Sequence, residues 1–443
     1  MIRPESFVTH SLSHHPRGGV IARILAFAIQ AVEPGNAVQR FVRREMDSLF
    51  VDGREYSLDK IGRVHILGLG KACAAMTLPL ADLFSDHPTR GLLIPKQTLV
   101  QPPSGFDLQP GGHPVPDENS LRAGQKALAL ASSLTENDLL ICLISGGGSA
   151  LMTTPASSIS LDDLRALTSA LLACGARVDE INTLRRHLDQ LKGGGLARLA
   201  SPAKVVSLIL SDVVGNPLEA IASGPTAPDP STCEDALAVL EKYSLLGKIP
   251  SAILRYLETA AEMPKPGDAL FERVQNVIVG SNALAAESAQ SQARSEGFHS
   301  ILLGDDWQGE AREVSRKLCH ILKTSTNQRP FCLIAGGETT VTLHGRGRGG
   351  RNQELALAAV GELAGLRDVM LITLATDGED GPTDAAGAVV TGETLKRGWE
   401  LGLSPEAFLD DNDSYTYFSA LTDLLKPGPS GTNVNDLMFC FGM

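Results

Sequence analysis

The run Leu139-Leu140-Ile141-Cys142-Leu143-Ile144, followed at once by Ser145-Gly146-Gly147-Gly148-Ser149, decides the fold class. Six consecutive apolar residues leave no polar face, which is typical of a parallel β-strand covered by helices on both sides. Five more short apolar runs share this character, and segments with helical spacing separate them: 64–67, 205–210, 277–279, 331–335 and 370–375. The pattern predicts an α/β fold with mostly parallel, Rossmann-like sheets flanked by helices.

The length of the chain predicts more than one domain. At 443 residues it is long enough for about two domains. The alternation of strands and helices weakens between residues 225 and 273, where helical segments contain Pro250, Pro264 and Pro266. We therefore predict an N-terminal domain over residues 1–245 and a C-terminal domain over residues 246–443.

Composition and charge exclude several classes of partner. A net charge of −12 argues against a general nucleic-acid binder. The seven cysteines have no paired metal-binding spacing, and Cys142, Cys332 and Cys440 lie in apolar runs, as buried thiols do in a reducing compartment. No apolar run approaches the roughly 18 residues that cross a membrane. We expect a cytoplasmic protein with small-molecule substrates and no nucleic-acid or membrane partner, while a homo-oligomer remains open.

Glycine and polar residues follow almost every predicted strand. They are Gly70 and Lys71, Ser145–Ser149, Asp212, Asn282, Gly336-Gly337-Glu338 and Asp377. In open α/β sheets, ligands bind beyond the carboxyl ends of the strands. Because six loops agree, we predict a ligand site at that edge.

The segment Gly345-Arg346-Gly347-Arg348-Gly349-Gly350-Arg351-Asn352-Gln353-Glu354 places three guanidinium groups among four glycines. The residues before it (340–343) are predicted to form a strand, and those after it (354–360) a helix. Glycines admit a close ligand, a helix N-terminus offers N–H groups, and arginine matches phosphate or carboxylate oxygens. Anion binding by Gly349, Gly350, Arg351 and Asn352 is therefore favoured over a solvated basic turn.

Other candidate ligand groups each have a structural alternative. The amides of Ser145, Gly146, Gly147, Gly148 and Ser149 suit an anion, or the turn serves packing alone. Lys71 suits a phosphate, although neither the Walker nor the dinucleotide motif is present there. His113 is a hydrogen-bond donor or part of a rigid Pro-rich corner, and Lys192 precedes a triple glycine that is equally a helix stop.

Three carboxylates end predicted strands: Asp212, Glu338 and Asp377. Carboxylates in such places hold Mg²⁺ or accept a proton from an attacking hydroxyl. The weaker candidates are Asp380, Asp384, Asp410, Asp411 and Asp413. Together with the cationic side chains, these carboxylates match what phosphoryl transfer requires, because its transition state spreads negative charge over the phosphoryl oxygens.

At these motifs the chain resembles glycerate 2-kinases, including tartrate-utilisation-like members, and its second half resembles their MOFRL domain. The matching motifs are Gly68–Ala72, His113–Asp117, Ser145–Leu151, Ile181–Thr183, Lys192–Leu196, Ser211–Val213, Ala222–Thr226, Gly336–Val341, Gly349–Glu354, Thr376–Gly378 and Gly431–Asp436. The resemblance implies two α/β domains with an inter-domain cleft, and transfer of the ATP γ-phosphoryl group to D-glycerate with Mg²⁺ or another divalent cation. It implies catalytic roles for Lys71 and Arg351 and cleft carboxylates at Asp212 and Asp377. We predict that these two carboxylates are catalytic and bind the metal ion.

The sequence is also compatible with two other functions. Gly345, Gly347 and Gly350 have dinucleotide-binding spacing, and relatives have carried the label hydroxypyruvate reductase, so an NAD(P)H-dependent reductase is the first. Against it, Asp377 lies beyond the roughly 20-residue spacing of a ribose-binding acid. The second alternative is a non-catalytic sensor of sugar acids, which would bind without Mg²⁺-dependent turnover.

Overall fold

The computed structural model describes residues 2–96 and 101–443. The chain forms two compact units, one over Ala37–Val279 and the other from the residues up to Asn36 together with Gly280–Met443. The sequence-based boundary near residue 245 lies inside the first unit. That unit extends further because the strand that begins at Val274 joins its sheet.

The strands alternate with helices along most of the chain. The strands are β1 (Val42–Glu45), β2 (Ser48–Val51), β3 (Arg54–Ser57), β4 (Arg63–Leu69), β5 (Thr89–Ile94), β6 (Phe106–Leu108), β7 (Asp138–Ile144), β8 (Lys204–Leu210), β9 (Val274–Gly280), β10 (His299–Leu302), β11 (Trp307–Glu310), β12 (Phe331–Thr340), β13 (Val369–Ala375), β14 (Gly387–Thr391), β15 (Leu424–Leu425) and β16 (Asp436–Gly442).

The helices flank these strands. They are α1 (His10–Ser13), α2 (Gly18–Ala31), α3 (Pro34–Phe41), α4 (Cys73–Leu83), α5 (Glu118–Ser132), α6 (Gly148–Leu151), α7 (Leu161–Ala173), α8 (Val178–His187), α9 (Gly195–Ala200), α10 (Cys233–Lys242), α11 (Ser251–Leu257), α12 (Asn282–Ser295), α13 (Ala311–Thr324), α14 (Arg351–Leu363), α15 (Thr394–Glu400), α16 (Pro405–Asp410) and α17 (Ser414–Leu421). None of the helices in the described ranges combines the length and apolar character needed to cross a membrane.

The unit Ala37–Val279 contains a six-stranded sheet in the order β6-β5-β4-β7-β8-β9. The pairs from β6 to β8 are parallel, and Leu67 lies opposite Cys142 in the register. Strands β4, β7 and β8 are buried along almost their whole length, which explains why their sequences are apolar on both faces. The α/β class is confirmed. A separate antiparallel sheet of β1, β2 and β3 was not predicted.

The other unit contains a seven-stranded sheet in the order β10-β12-β16-β13-β14-β15, with β11 also paired to β12. Here the prediction of a mostly parallel sheet was wrong, because β16 lies between β12 and β13 and runs antiparallel to both. Strand β16 is buried throughout. A strand covered on both faces has the same apolar pattern in either direction, so the sequence did not reveal its orientation.

Strand β12 is longer than predicted and changes the setting of its glycines. It continues to Thr340, so Gly336, Gly337 and Glu338 lie within the strand rather than in a following loop. A Cβ added at Gly336 would overlap Asn282, and one at Gly337 would overlap the backbone of Trp307. These glycines therefore permit close packing. The predicted strand over 340–343 was wrong beyond its first residue, whereas the predicted helix is confirmed as α14.

Candidate active site

The turn after β4 is fixed to the turn after β7 by hydrogen bonds. The backbone N–H of Lys71 donates to the carbonyl of Gly146 (3.1 Å), and that of Ala72 donates to Oγ of Ser145 (3.0 Å). Gly70 has φ +111°, and a Cβ there would overlap Ser145. The side chain of Lys71 is exposed. Two of the predicted ligand loops thus form one continuous surface around this lysine.

Three side chains that were predicted to belong to a ligand site surround Gly146 and Gly147. A Cβ added at Gly147 (φ +84°) would lie 3.1 Å from Nε2 of His113 and 3.9 Å from Cε of Lys71. A Cβ added at Gly146 would overlap the carboxylate of Asp212. The structure therefore brings together a lysine, a histidine, a carboxylate and a glycine turn. We call these residues, Lys71, His113, Gly146, Gly147 and Asp212, the lysine cluster.

The segment that carries His113 is anchored at the start of α5. Asp117 caps this helix, accepting from the backbone of Asn119 and Ser120, and the N–H of Gly112 donates to Oγ of Ser120 (2.9 Å). The corner is therefore rigid and also carries a side chain of the lysine cluster. Burial lowers the pKa of His113, and the charges of Lys71 and Lys96 lower it further. Its imidazole is neutral at neutral pH, so it has one donor and one acceptor nitrogen.

Other residues of these loops pack into the interior. Gly148 is buried, and a Cβ added to it would overlap Ala222. Oγ of Ser149 lies 2.8 Å from Oγ of Ser223. The ammonium of Lys192 donates to Asp189 (2.6 Å) and to the carbonyl of Met152 (3.2 Å). Burial lowers the pKa of Lys192, and Asp189 opposes this shift. Lys192 therefore belongs to a buried ion pair. It lacks the exposed ammonium group that is expected of a ligand-binding lysine.

In the other unit, Arg351 is held by two carboxylates. Its Nε lies 2.6 Å from Oδ2 of Asp436, and its Nη1 donates to Oε1 of Glu338 (2.6 Å). Burial disfavours the charge of Arg351, but Asp436 and Glu338 outweigh it and raise its pKa above the usual value. The guanidinium is therefore permanently charged and fixed in orientation.

A cavity of about 650 Å³ lies beside Arg351 within the same unit. Its lining includes Gly349, Gly350, Asp377 and Asn433. Asp377 is half-buried, and one of its carboxylate oxygens accepts from the N–H of Glu379 (3.1 Å). The predicted candidates Arg351, Asp377, Gly349 and Gly350 are thus brought together around one volume.

The N-terminus of α14 is already occupied by a carboxylate. Asp380 accepts from the backbone N–H of Asn352 (3.2 Å) and of Gln353 (2.9 Å). A Cβ at Gly350 would overlap Asp380. The expectation that this helix start offers its amides to a ligand was wrong for these two groups. Burial raises the pKa of Asp380 to about 6.

The arginine–glycine loop, residues 345–350, packs against residues 411–414. Cβ atoms at Gly345 and Gly347 would overlap Asp411, and the N–H groups of Arg346 and Arg348 donate to aspartate side chains there, at 2.9 and 3.0 Å. The guanidinium of Arg348 lies 4.2 Å from the ring centroid of Tyr415. These glycines make room for the protein's own chain, so their dinucleotide spacing has a packing explanation.

Two predicted binding residues, Asn282 and Asn352, hydrogen-bond to other parts of the protein. Two acids, Asp436 and Asp380, contact the predicted site residues. Nδ2 of Asn282 donates to the carbonyls of Val434 and Asp436, both at 2.9 Å, while Asn352 is buried next to Asp380. The sequence pointed to Asp436 only as the last residue of a matching motif, and to Asp380 only as a weaker candidate. One signal was available for Asp436, because a charged residue opens an otherwise apolar run there.

The α/β fold has the lysine cluster in one unit and a clamped arginine beside a cavity in the other. These features are typical of a protein that binds small anionic ligands. Two family models match the chain: a domain of unknown function (DUF4147) over residues 20–258, and the MOFRL family over residues 331–436.

Whole-chain comparisons agree with these matches. A D-glycerate 2-kinase of Thermotoga maritima is 41% identical over 90% of this chain and 95% of its own length. A putative hydroxypyruvate reductase of Agrobacterium vitis is 40% identical, over 85% of this chain and 86% of that protein. A crystal structure of glycerate kinase from Thermotoga maritima has a TM-score of 0.86 at 39% identity, covering 95% of this chain and 98% of that one. The chain belongs to the glycerate kinase family that carries a MOFRL domain.

Proposed function

We propose that the protein is an ATP-dependent glycerate 2-kinase, which transfers the γ-phosphoryl group to the 2-hydroxyl of D-glycerate and releases ADP and 2-phosphoglycerate. The observation that carries the proposal is the lysine cluster in a chain of this family. It combines a cation, a neutral imidazole and a carboxylate around two glycines, whose lack of a Cβ lets His113 and Asp212 approach the turn closely. Phosphoryl transfer depends on positioning and on electrostatic stabilisation, and these groups supply both.

The side chains of the lysine cluster suit different parts of the reaction. The exposed ammonium of Lys71 neutralises charge on the transferring phosphoryl oxygens. Neutral His113 donates a hydrogen bond to a ligand oxygen without adding charge. Asp212, beside Gly146, orients the attacking hydroxyl or accepts its proton.

We further propose that Arg351 and Asp377 act in the same reaction. The cavity they line, about 650 Å³, falls in the range of roughly 300–1,000 Å³ that is usual for small-molecule sites. Glu338 and Asp436 hold the guanidinium of Arg351 in place. Little conformational entropy is therefore lost when this group binds a ligand. The exposed face of the fork is then available to a phosphate or carboxylate.

ATP-dependent phosphoryl transfer also calls for a divalent cation. The carboxylate oxygens of Asp212 and Asp377 are of the kind that Mg²⁺ prefers, and both residues are only half-buried. When bound, Mg²⁺ would neutralise charge on the phosphates. All cysteines are free thiols, which suits a reducing compartment, so we expect the reaction in the cytoplasm.

The proposal is tested by following ADP and NADH separately in the purified protein. With D-glycerate, ATP and Mg²⁺ we expect stoichiometric ADP, and NMR of the product should show the phosphate on C2. The alternative, a hydroxypyruvate reductase, has the name of the Agrobacterium vitis relative in its favour. It predicts NADH consumption with hydroxypyruvate and no ADP, and that result would exclude the kinase. Binding of glycerate without either turnover would indicate a sensor.

A further inference from the structure

A group of metal-ligating side chains lies within the unit Ala37–Val279 and takes no part in the lysine cluster. It consists of His187 at the end of α8, Cys233 at the start of α10 and Glu262 in the loop after α11. One ligand atom from each lies within 4.8 Å of the others. His187 and Cys233 are buried, whereas the Glu262 side chain is 43% exposed.

The hydrogen bonding of His187 leaves one ring nitrogen without a donor or acceptor. Nδ1 lies 2.9 Å from the carbonyl oxygen of Thr183, which only accepts, so Nδ1 carries a hydrogen. Nε2 has no hydrogen-bond partner among the described residues, although the side chain is fully buried. A histidine fixed in this way through Nδ1 presents the lone pair of Nε2, which is the arrangement found in metal-ligating histidines.

The atom that Nε2 faces is itself an electron-pair donor. Oε2 of Glu262 lies 3.5 Å from it, too far for the hydrogen bond of a protonated ring to be well formed. A lone pair and a carboxylate oxygen at this distance repel each other unless a cation lies between them. A tetrahedral zinc ion would separate nitrogen and oxygen ligands by about 3.4 Å, given its usual bond lengths. The observed separation of 3.5 Å is close to the value for two zinc ligands.

The identity of the donors selects the metal. Thiolate, imidazole and carboxylate together suit zinc, whereas Mg²⁺ and Ca²⁺ take oxygen ligands. Neighbouring groups also contact the three ligand side chains and help to orient them. Asp229 lies 3.6 Å from Nδ1 of His187, and Oε1 of Glu262 accepts from the N–H of Cys233 (2.9 Å). Lys265, 2.8 Å from Oε2 of Glu262, is the competing cation, and it is partly exposed.

We propose that His187, Cys233 and Glu262 bind one zinc ion, with the fourth position left to water. The ion would tie α8, α10 and the loop after α11 together and would stabilise this part of the fold rather than take part in phosphoryl transfer. The three ligands are far apart in the sequence, so they do not form a metal-binding motif with a recognisable spacing.

The test uses the full chain, freed of metal by a chelator and then titrated with Zn²⁺ alone. We expect one zinc per chain, unaffected by excess Mg²⁺. Substitution of Co²⁺ should give the near-ultraviolet absorption of a cobalt–thiolate bond. Failure of the wild type to bind zinc near stoichiometry, or a cobalt spectrum without the thiolate band, would overturn the proposal.

Matched variants identify the ligands. Cys233→Ala should lose the thiolate band and weaken zinc binding by more than about 100-fold, because outer partners alone are worth about 10–100-fold. Cys174→Ala, which alters an exposed cysteine in the same unit, should behave as the wild type. If Cys233→Ala is misfolded by circular dichroism, the half-exposed Glu262→Gln replaces it. Unchanged affinity in Glu262→Gln would equally refute the site, while its rate of ADP release should equal that of the wild type.

Discussion

The turn at Gly146–Gly147 and the arginine–glycine loop at residues 345–350 are both rich in glycine but have different neighbours. In the first, the space that a Cβ would fill is bordered by His113, Lys71 and Asp212. In the second, it is bordered by residues 411–414 and by Asp380, which belong to the frame of the fold. Glycine density therefore indicates close approach, but the neighbours decide whether a ligand or the chain itself approaches.

The largest expected effect comes from the cation of the lysine cluster. Lys71→Ala should lower kcat by about 10²–10³, the usual cost of removing one preorganised group that stabilises transition-state charge. The melting temperature should not change, because the side chain is exposed. Lys126→Ala, which removes another exposed lysine, from α5, serves as the control. A near-normal rate in Lys71→Ala would remove this residue from the mechanism.

The two half-buried aspartates distinguish a metal ligand from a base. Asp212→Asn and Asp377→Asn should each reduce the rate by about 100-fold, as expected for loss of a base or of a metal ligand. Rates measured over a range of Mg²⁺ concentrations separate the cases. A lost ligand raises the Mg²⁺ requirement and is rescued by more metal, whereas a lost base is not. If neither variant changes either quantity, both assignments are wrong.

The clamp on Arg351 predicts a loss of stability together with a loss of rate. Arg351→Lys replaces a fork by a single ammonium, which cannot contact both Glu338 and Asp436 in the same way. We expect the free energy of unfolding to fall by about 1–3 kcal/mol, because Asp436 is buried and loses part of its pairing. Denaturant unfolding measures this, with the exposed Arg346→Lys as the control. Full activity and stability would show that the fork is unnecessary.

A pair of glycine substitutions isolates the effect of the neighbours. Gly147 (φ +84°) and Gly175 (φ +71°) both have left-handed backbones, but a Cβ at Gly175 meets nothing within 4 Å. Both alanine variants should lose about 1 kcal/mol of stability. Only Gly147→Ala should also lower kcat/KM, by about tenfold, because its methyl group displaces His113. Equal kinetics in the two variants would contradict a functional turn at Gly147.

The smallest effect on activity is expected from Asp380, whose influence appears in the pH dependence of stability. Burial raises its pKa to about 6 in the folded protein, above about 3.9 when unfolded. Between these values the folded state binds more protons, so this group lowers stability as pH rises from about 4 to about 6. The difference in unfolding free energy between wild type and Asp380→Asn should follow that trend. A pH-independent difference would show that Asp380 has an ordinary pKa.

The sequence predicted what depends on local pattern. The buried strands β4, β7 and β8 and the helix α14 were all correctly expected, because apolar periodicity is a short-range feature. The grouping of the glycine turn with Lys71 and Asp212 followed from the rule that ligands bind at the carboxyl ends of parallel strands.

What the sequence did not predict depends on partners distant in the chain. Nothing near Asn352 indicates that Asp380 will cap its helix, and nothing near Gly345 indicates contact with Asp411. The same holds for the zinc ligands proposed above. Polar residues are assigned to a ligand or to the fold only when the residues facing them are known.

The central position of β16 has a consequence for synthesis of the chain. Residues up to Asn36 are synthesised before Ala37–Val279, yet they belong to a unit whose sheet is joined in the middle by Asp436–Gly442. The sheet of the unit Ala37–Val279 does not depend on a strand from the end of the chain. A nascent chain that stops before Asp436 would hold one finished sheet and one divided into halves, with Arg351 still lacking a carboxylate of its clamp.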